Sequence, residues 1–510
     1  MTSSRPRPPA EGEVRAWIDR RSDVPLYQQV RHFVEQGLRN GHFPLHRPLP
    51  SSRYLAQELG VSRNTINAAY LELVGVGALF ARPRSGLYPV PGALAARSPD
   101  RGAAGTDRES VAAASIATGR GRPDWSDHLL AIEDPWPEHA VIEPDYESFP
   151  YPFLPGQIEI RRFPTRAWIR ATTAALDGPN ATFSLRDSVD RDDPLLVESI
   201  RTSLLPAKGI SAEADEVLIT NGAQQALHLL SEALLDQGRT VAVENPGYVD
   251  AARIFRRSGA NLRLFSVDGD GVILPDDLDV DLVYVTPSHH HPTNVTLGPE
   301  RRDLLLARAS ARDFLIVEDD FDSEVRYVGS PTPAIKAADT DGRVVYLGTF
   351  SKFLAPGLRA GFVVAAPSLI AAMRERRFHE TKHPSGHLQR TLALFITSGD
   401  YHQQLRRHRL ELRRKWETLG DALDRYLPGM MSGRPTGGLS YWLTGPDDLD
   451  GRLVADLARA RGVLVSPGSS YYLSKDAPRN SLRVGFNAIA QARIRPGVAR
   501  LADAVTEATR

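Results

Sequence analysis

The sequence predicts an α/β protein in two parts: a small N-terminal head of three helices and a β-hairpin, then a larger body on a mostly parallel sheet flanked by helices. Three observations carry that prediction. Apolar residues between Pro25 and Val90 recur at helical spacing and are bounded by Ser and Gly where helices start and stop. Beyond Asp145, short β-branched runs alternate with amphipathic stretches, the pattern of parallel strands joined by helices. A chain of 510 residues, 42% hydrophobic and 24% charged, suits two or three globular domains. The expected division is a head over residues 24–91, a linker over 92–145 and a body over 146–506. The linker reading rests on a run of Ala, Gly, Ser, Pro, Asp and Arg without apolar periodicity from Pro91 to about Arg122, which reads as mobile.

The chain has no Cys, which excludes disulfides, thiolate metal sites and a cysteine nucleophile. No apolar stretch approaches the ~20 residues of a membrane span. Met1-Thr2-Ser3-Ser4-Arg5-Pro6 lacks the apolar core of a signal peptide, so a cytoplasmic location without membrane contact is expected. Net charge is zero, yet residues 1–90 hold 12 Arg, no Lys and 7 Asp+Glu, a balance of +5 against −5 for the rest. A basic head is what attraction to a phosphate backbone favours. A chance imbalance of surface charge gives the same numbers, so charge alone decides nothing.

In the head, the first helix places Leu26, Val30, Phe33, Val34 and Leu38 on one stripe. Ser51 or Ser52 caps a second helix that buries Leu55 and Leu59 and closes at Gly60. Ser62 caps a third, with Ile66, Ala69, Tyr70 and Leu73 facing inward. That leaves Arg63, Asn64 and Asn67 on the outer face near the helix start, where a DNA-reading helix presents polar groups to base edges and phosphates. Leu79–Arg82 and Leu87–Val90 then form a hairpin with Arg82, Arg84 and Gly86 at its tip, suited to a groove or a backbone. A three-helix protein-interaction module is the alternative for the same pattern.

In the body, strands are expected at Val217–Thr220, Val241–Val243, Leu282–Val285, Phe314–Val317 and Val344–Leu347, with two long helical stretches after about Gly399 and a last mixed α/β segment. Ligands of open parallel sheets bind beyond the carboxyl ends of the strands, and unusual residues gather there. The first strand runs into Asn221-Gly222-Ala223-Gln224. Glycine at a helix start lets backbone N–H groups approach a phosphate, and an ordinary helix cap explains it equally well. The fourth ends in Glu318-Asp319-Asp320-Phe321-Asp322, four carboxylates that are costly together unless some meet a positive partner. A protonated pyridinium nitrogen is one such partner; a two-metal site is the rival, although no His sits nearby at metal-like spacing. The fifth ends in Gly348-Thr349-Phe350-Ser351-Lys352. A lysine just past a buried strand can be desolvated, which lowers its pKa so that the amine adds to an aldehyde. Thr349, Ser351 and Arg359 put two hydroxyls and a guanidinium within reach of one phosphate.

From Pro25-Leu26-Tyr27-Gln28-Gln29-Val30 to Val90 the head resembles a GntR-type winged helix-turn-helix. The body motifs, in their order, resemble fold-type I pyridoxal-phosphate (PLP) enzymes of the aminotransferase class I/II group. Supporting segments are Phe153-Leu154-Pro155-Gly156, Glu244-Asn245-Pro246-Gly247-Tyr248, Thr286-Pro287-Ser288-His289 and Ser481-Leu482-Arg483-Val484-Gly485-Phe486. The whole chain resembles the MocR subfamily of GntR regulators. The resemblance implies DNA contacts at Arg53, Arg63, Asn64 and Thr65, with Arg82 and Gly86 on the wing. It implies pyridoxal 5'-phosphate as cofactor, with Lys352 forming the internal aldimine, Asp319 pairing the pyridine nitrogen and Tyr248 stacking on the ring. Gly222, Ala223, Gln224, Thr349, Ser351 and Arg359 would hold the phosphate, and Arg483 would clamp a carboxylate of an amino ligand. The plainer alternatives are a surface lysine at Lys352, a core aromatic at Tyr248 and an interdomain salt bridge at Arg483. The resemblance also implies a homodimer, because sites of this fold lie between subunits, and no metal.

The chain departs from the family pattern in places. Phe321 stands where a tyrosine usually bonds the cofactor's phenolic oxygen, leaving His289, His290 or His291 as donors. Arg191 stands near the missing tyrosine that reaches the partner subunit's phosphate. Asn294 replaces the glycine of Pro-Thr-Gly, Arg84-Ser85-Gly86 replaces a Gly-x-Gly turn, and Asp250 argues against a γ-amino acid ligand. The expected function is a transcriptional regulator of operator DNA that senses a small amino compound through aldimine chemistry at Lys352. An active aminotransferase with an appended head and a sensor of PLP itself are the alternatives.

Overall fold

A computed structural model of the chain describes residues 18–22, 24–40, 42–44, 47–82, 85–90, 126, 129, 143–330, 332–474 and 476–510. Arg84 and nearly all of the expected linker lie outside them. The chain divides into two units, Met1–Leu130 and Ala131–Arg510.

In the first unit, α1 (Leu26–Arg39), α2 (Ser52–Leu59) and α3 (Arg63–Gly75) form because their apolar stripes share one core. Val30 and Val34 of α1, Leu55 and Leu59 of α2, and Ile66, Ala69, Tyr70 and Leu73 of α3 are all buried together. Each large apolar side chain removed from water contributes roughly 1.5–3 kcal/mol. The expected caps are in place: Ser51 Oγ accepts from Tyr54 N, Ser62 Oγ accepts from Thr65 N, and Gly60 closes α2 at φ +64. The hairpin pairs β1 (Leu79–Arg82) with β2 (Gly86–Pro89), with Arg82 opposite Gly86. The second strand thus begins one residue earlier than the sequence suggested, and Gly86 is a paired strand residue rather than part of the tip. Its φ of +108 falls in the left-handed region that favours glycine.

The second unit opens with β3 (Tyr151–Pro152), α4 (Thr165–Ala175), α5 (Gly178–Leu185) and α6 (Pro194–Ser199). The main sheet then builds up from β4 (Val217–Thr220), α7 (Ala223–Leu234), β5 (Thr240–Asn245), α8 (Val249–Arg257), β6 (Asn261–Asp268), β7 (Gly271–Val272) and β8 (Leu282–Val285). It continues through α9 (Pro299–Arg312), β9 (Leu315–Asp320), β10 (Val344–Thr349) and β11 (Gly361–Val364). The strand order is β4-β11-β10-β9-β8-β5-β6-β7, parallel from β10 across to β6, with β11 antiparallel to both of its neighbours and β7 antiparallel to β6. Both faces are covered, which is why the strands read as continuous apolar runs. Along β4, Leu218 packs with Leu227, Leu230 and Phe255 of α7 and α8, whereas Val217 and Ile219 join the opposite core.

Next come α10 (Pro367–Thr381), α11 (Gly386–Thr397) and the 27-residue α12 (Asp400–Tyr426). A smaller subdomain follows, with β12 (Ser440–Thr444), α13 (Gly451–Ala460), β13 (Val463–Leu464), β14 (Ser466–Pro467), β15 (Ser481–Gly485) and α14 (Gln491–Ala508). Its antiparallel sheet has the order β12-β15-β14, and β13 pairs with β3. Three expected strands are longer than the apolar runs that announced them: β5 extends from Thr240 to Asn245 around Val241–Val243, and two others reach further toward their carboxyl ends. β9 starts at Leu315 rather than Phe314 and continues through the acidic residues to Asp320, and β10 continues to Thr349. Among the described residues no helix is long and apolar enough to cross a membrane.

Candidate functional site

At the carboxyl ends of the parallel strands lies a cavity of about 420 Å³. β9 delivers one carboxylate to it. Because strand side chains alternate between faces, the acidic run does not act as a cluster. Glu318 accepts from Ile335 N and Lys336 N at 2.8 and 2.9 Å on one side. Asp320 on that same side meets the Tyr346 hydroxyl at 2.6 Å and Lys208 at 3.2 Å, and beyond the strand Asp322 faces His289 Nδ1 at 2.9 Å. Asp319 points the other way, into the cavity. Its Oδ2 accepts from the Tyr284 hydroxyl at 2.7 Å, while Oδ1 is buried without a partner. Burial pushes Asp319 up to about 6, against the Tyr284 hydrogen bond. No group of three or more His, Asp or Glu side chains placed to hold a metal ion occurs among the described residues.

β10 delivers the second set. Thr349 ends the strand and its Oγ1 accepts from Ser351 N at 3.1 Å, while Ser351 Oγ is buried without a partner. Lys352 follows with its amine at the cavity wall; burial first, then Arg483, holds its pKa below the ordinary lysine value. A Cβ on Gly156 would come within 2.9 Å of Lys352 Nζ, so glycine at φ +83 is what lets the backbone pass over the amine. A Cβ on Gly222 would come 3.3 Å from Arg359 Nη2, so Gly222, which does not line the cavity, makes room for the guanidinium that does. Ala223 and Gln224 open α7 beside it, presenting a helix N-terminus to the cavity. Tyr248 lines the wall at the start of α8, and its hydroxyl accepts from Gln224 Nε2 at 3.3 Å.

Arg483 comes from β15, far along the chain. Nη1 donates to His291 Nε2 at 2.8 Å, Nε donates to Ser440 Oγ at 2.9 Å, and the guanidinium lies 5.3 Å from the Tyr471 ring centroid. Among the described residues Arg483 has no carboxylate partner, so the interdomain salt bridge is set aside, and Arg483 lines the cavity. Because a guanidinium only donates, His291 Nε2 must accept, which places the imidazole proton on Nδ1. Burial and then Arg483 hold His291 well below its ordinary pKa, consistent with that neutral form. His291 also meets the rings of Tyr248 and Phe321 edge-on at 5.3 and 5.8 Å. His289 is taken by Asp322, and His290 Nδ1 by Thr293 Oγ1 at 2.7 Å. Of the three histidines only His291 lines the cavity. Asn294 adopts φ +62, the backbone that explains a glycine at that place, and its side chain donates to Ser440 Oγ at 3.1 Å. Arg191 is exposed and does not line the cavity, and Asp250 Oδ1 pairs with Arg253 at 3.2 Å.

The sequence located Lys352, Asp319, Tyr248, Ala223, Gln224, Thr349, Ser351, Arg359 and Arg483, and all nine line one cavity. It missed Tyr284 as the support of Asp319, Gly156 over the lysine, and Ser440, Tyr471 and His291 around Arg483. In the head, Arg53, Arg63 and Asn64 are exposed, and Arg63 Nε donates to Ser52 Oγ at 3.3 Å. Thr65 is engaged in the cap, its Oγ1 2.8 Å from Ser62 Oγ. Arg82 lies 4.5 Å over the Tyr88 ring.

The family model for aminotransferase class I and II matches residues 162–501, and that for bacterial regulatory proteins of the gntR family matches residues 26–88. The chain is 38% identical over 484 residues to the HTH-type transcriptional regulator TauR of Rhodobacter capsulatus, covering 94% of this chain and 96% of the relative. It is 34% identical over 400 residues to the probable rhizopine catabolism regulatory protein MocR of Rhizobium meliloti, covering 77% and 76%. A solved kynurenine aminotransferase of Pyrococcus horikoshii, in complex with PMP, superposes with a TM-score of 0.65 at 29% identity, covering 72% of this chain and 93% of that one.

Proposed function

This chain belongs to the aminotransferase class I and II family and joins to it a gntR-type head, the build of a MocR-type transcriptional regulator, and from that premise we propose that it senses a small amino compound in the body's cavity and reports it to operator DNA through the head. The observation that carries the reading is the meeting in one cavity of a depressed lysine amine, a buried carboxylate oxygen without a partner and a guanidinium without a carboxylate. Pyridoxal phosphate, the cofactor of this class, fits that donor set: Asp319 Oδ1 suits a protonated ring nitrogen, and Ser351 Oγ, Arg359 and the start of α7 suit a phosphate. When bound, it supplies an aldehyde that condenses with amines. Lys352, with its lowered pKa, takes and returns the proton of that exchange. Arg483, already fixed by His291 and Ser440, receives the ligand's anionic group on its Nη2 edge. A homodimer belongs to the reading, since it sets two heads on one operator. To swing such a dimer from 1:99 to 99:1 between two arrangements, the ligand must favour one of them by about 10⁴-fold.

The rival is turnover as an aminotransferase, which the complete set of Lys352, Asp319 and Arg483 favours and the hydroxyl-free Phe321 opposes. Absorbance of the loaded protein with a series of amines, followed by a keto-acid assay, separates the two. A spectral change without keto product supports the sensor, and stoichiometric keto product with pyridoxamine phosphate overturns it. Phe321→Tyr sharpens the contrast. A phenol donated to the cofactor's ring oxygen favours its anionic form, so the pH midpoint of the visible band should fall by about one unit, the size of a charge-assisted hydrogen bond. Overlapping titrations of wild type and Phe321→Tyr would mean that His291 already serves that oxygen.

For the head, Arg63→Ala should weaken binding to an operator recovered by selection from random duplexes by roughly 1–3 kcal/mol, the range for a bidentate contact to a base. Unchanged affinity in a fluorescence titration would remove Arg63 from the reading face.

A further inference from the structure

The body carries a basic surface of its own. Arg406, Arg407, Arg409, Arg413 and Arg414 are all exposed in the first half of α12. At 100° per residue they share one solvent face, Arg406, Arg409 and Arg413 along one row and Arg407 and Arg414 along the next. At a helical rise of 1.5 Å per residue the five span about 12 Å. The segment leading into α4 runs beside them. Gln404 Nε2 donates to the Arg162 carbonyl at 3.1 Å, Arg162 pairs with Glu411 at 3.1 Å, and Arg170 pairs with Asp400 at 3.2 Å. Exposed Arg161 stands in that segment next to Arg162, and exposed Arg166 stands in the first turn of α4.

The carboxylates within this surface are already taken. Asp400 serves Arg170, Glu417 serves Arg413, and Glu411 and Glu159 share Arg162 and the buried Lys415. Arg161, Arg166, Arg406, Arg407 and Arg414 form no ion pair among the described residues. Five uncompensated guanidinium groups on one surface repel each other and call for a partner with repeated negative charge. Duplex DNA has that chemistry, a phosphate every few ångströms that guanidinium binds in bidentate fashion. An acidic protein face is the competing partner. DNA is favoured because, on the reading given above, the head brings a duplex to this same chain.

We propose that the arginine face formed by α12 with the segment running into the first turn of α4 is a second, sequence-independent contact to the phosphate backbone of duplex DNA, outside the stretch read by the head.

The test uses the full chain loaded with cofactor and two labelled duplexes of unrelated sequence, one no longer than a single head's footprint and one several times longer. Anisotropy titrations over a range of salt give the slope of log affinity against log salt. The triple variant Arg406→Ser, Arg407→Ser, Arg414→Ser should lower that slope by about 2–3 on the long duplex, since each lost phosphate contact removes about 0.9. Affinity for the long duplex should fall about tenfold or more, with little change on the short one. The matching triple lysine variant should restore the slope, because charge rather than shape is what counts. All three side chains are exposed, so the folded state and the visible cofactor band should be unaltered. Equal slopes for wild type and the serine variant on the long duplex would overturn the proposal and leave the face to a protein partner. Arg63→Ala on the selected operator reports on the head alone, so a failure of the head reading and a failure of this one are told apart.

Discussion

Lys352→Ala is expected to abolish covalent retention of the cofactor: borohydride treatment of the loaded variant should leave no cofactor mass on any peptide, and the visible band of the bound form should vanish. The reason lies in how few amines the chain offers. It has six lysines, Lys208, Lys336, Lys352, Lys382, Lys415 and Lys475. Lys208 is held by Asp320 and Glu324, Lys336 by Asp339, Lys382 by Asp187 and Lys415 by Glu159. Lys352 alone among the described lysines lines the cavity, with its pKa lowered by burial and by Arg483. An ammonium cannot attack an aldehyde, so this depression is what the chemistry requires. Lys352→Arg keeps the charge and should fail equally, which separates loss of the nucleophile from loss of a cation. Binding of both variants to non-specific duplex should persist, since the head forms a unit of its own. Cofactor fixed to another lysine in Lys352→Ala would overturn the assignment.

The parts of this architecture that the sequence disclosed are those encoded within a few residues. Ser51, Gly60 and Ser62 act on neighbours three or four positions away, and the stripe Ile66, Ala69, Tyr70, Leu73 is a property of helical pitch alone. Lys352 was legible because it follows an apolar strand directly. What escaped depends on contacts between distant segments. The Arg483–His291 hydrogen bond joins residues 192 positions apart, and Tyr284 reaches Asp319 only because β8 and β9 pair in a register that sets Tyr284 opposite Val317. The acidic run shows the same limit in another form. Read as text, Glu318 to Asp322 is a concentration of charge. Once β9 is extended through Asp320, alternation distributes the carboxylates between two faces, and each finds its own partner.

Asp319→Asn is expected to lower affinity for pyridoxal phosphate by roughly 10²–10⁴-fold at pH 8, the cost of removing one partner from a buried charge pair, roughly 3–5 kcal/mol. Asparagine keeps the shape and can still accept from the Tyr284 hydroxyl, so the substitution isolates the charge. The pH dependence follows from the same carboxyl. Burial raises Asp319 to about 6, so it is ionised above that pH and takes up a proton as pH falls through it. Wild-type affinity should therefore decline below about pH 6, whereas Asp319→Asn has no carboxyl to titrate there. The phosphate of the cofactor titrates nearby in both proteins, so the difference between the two curves isolates Asp319. Without cofactor the sign reverses. A folded pKa above the unfolded one means that the ionised carboxylate destabilises the empty protein, fully above about pH 6 and less as pH falls toward the ordinary carboxylate range. The cofactor-free variant should then melt higher than wild type at pH 8, with the gap closing on acidification. A substitution that merely damaged the fold would lower both melting temperature and affinity, and equal affinities at pH 8 would show that the ring nitrogen does not rest on Asp319.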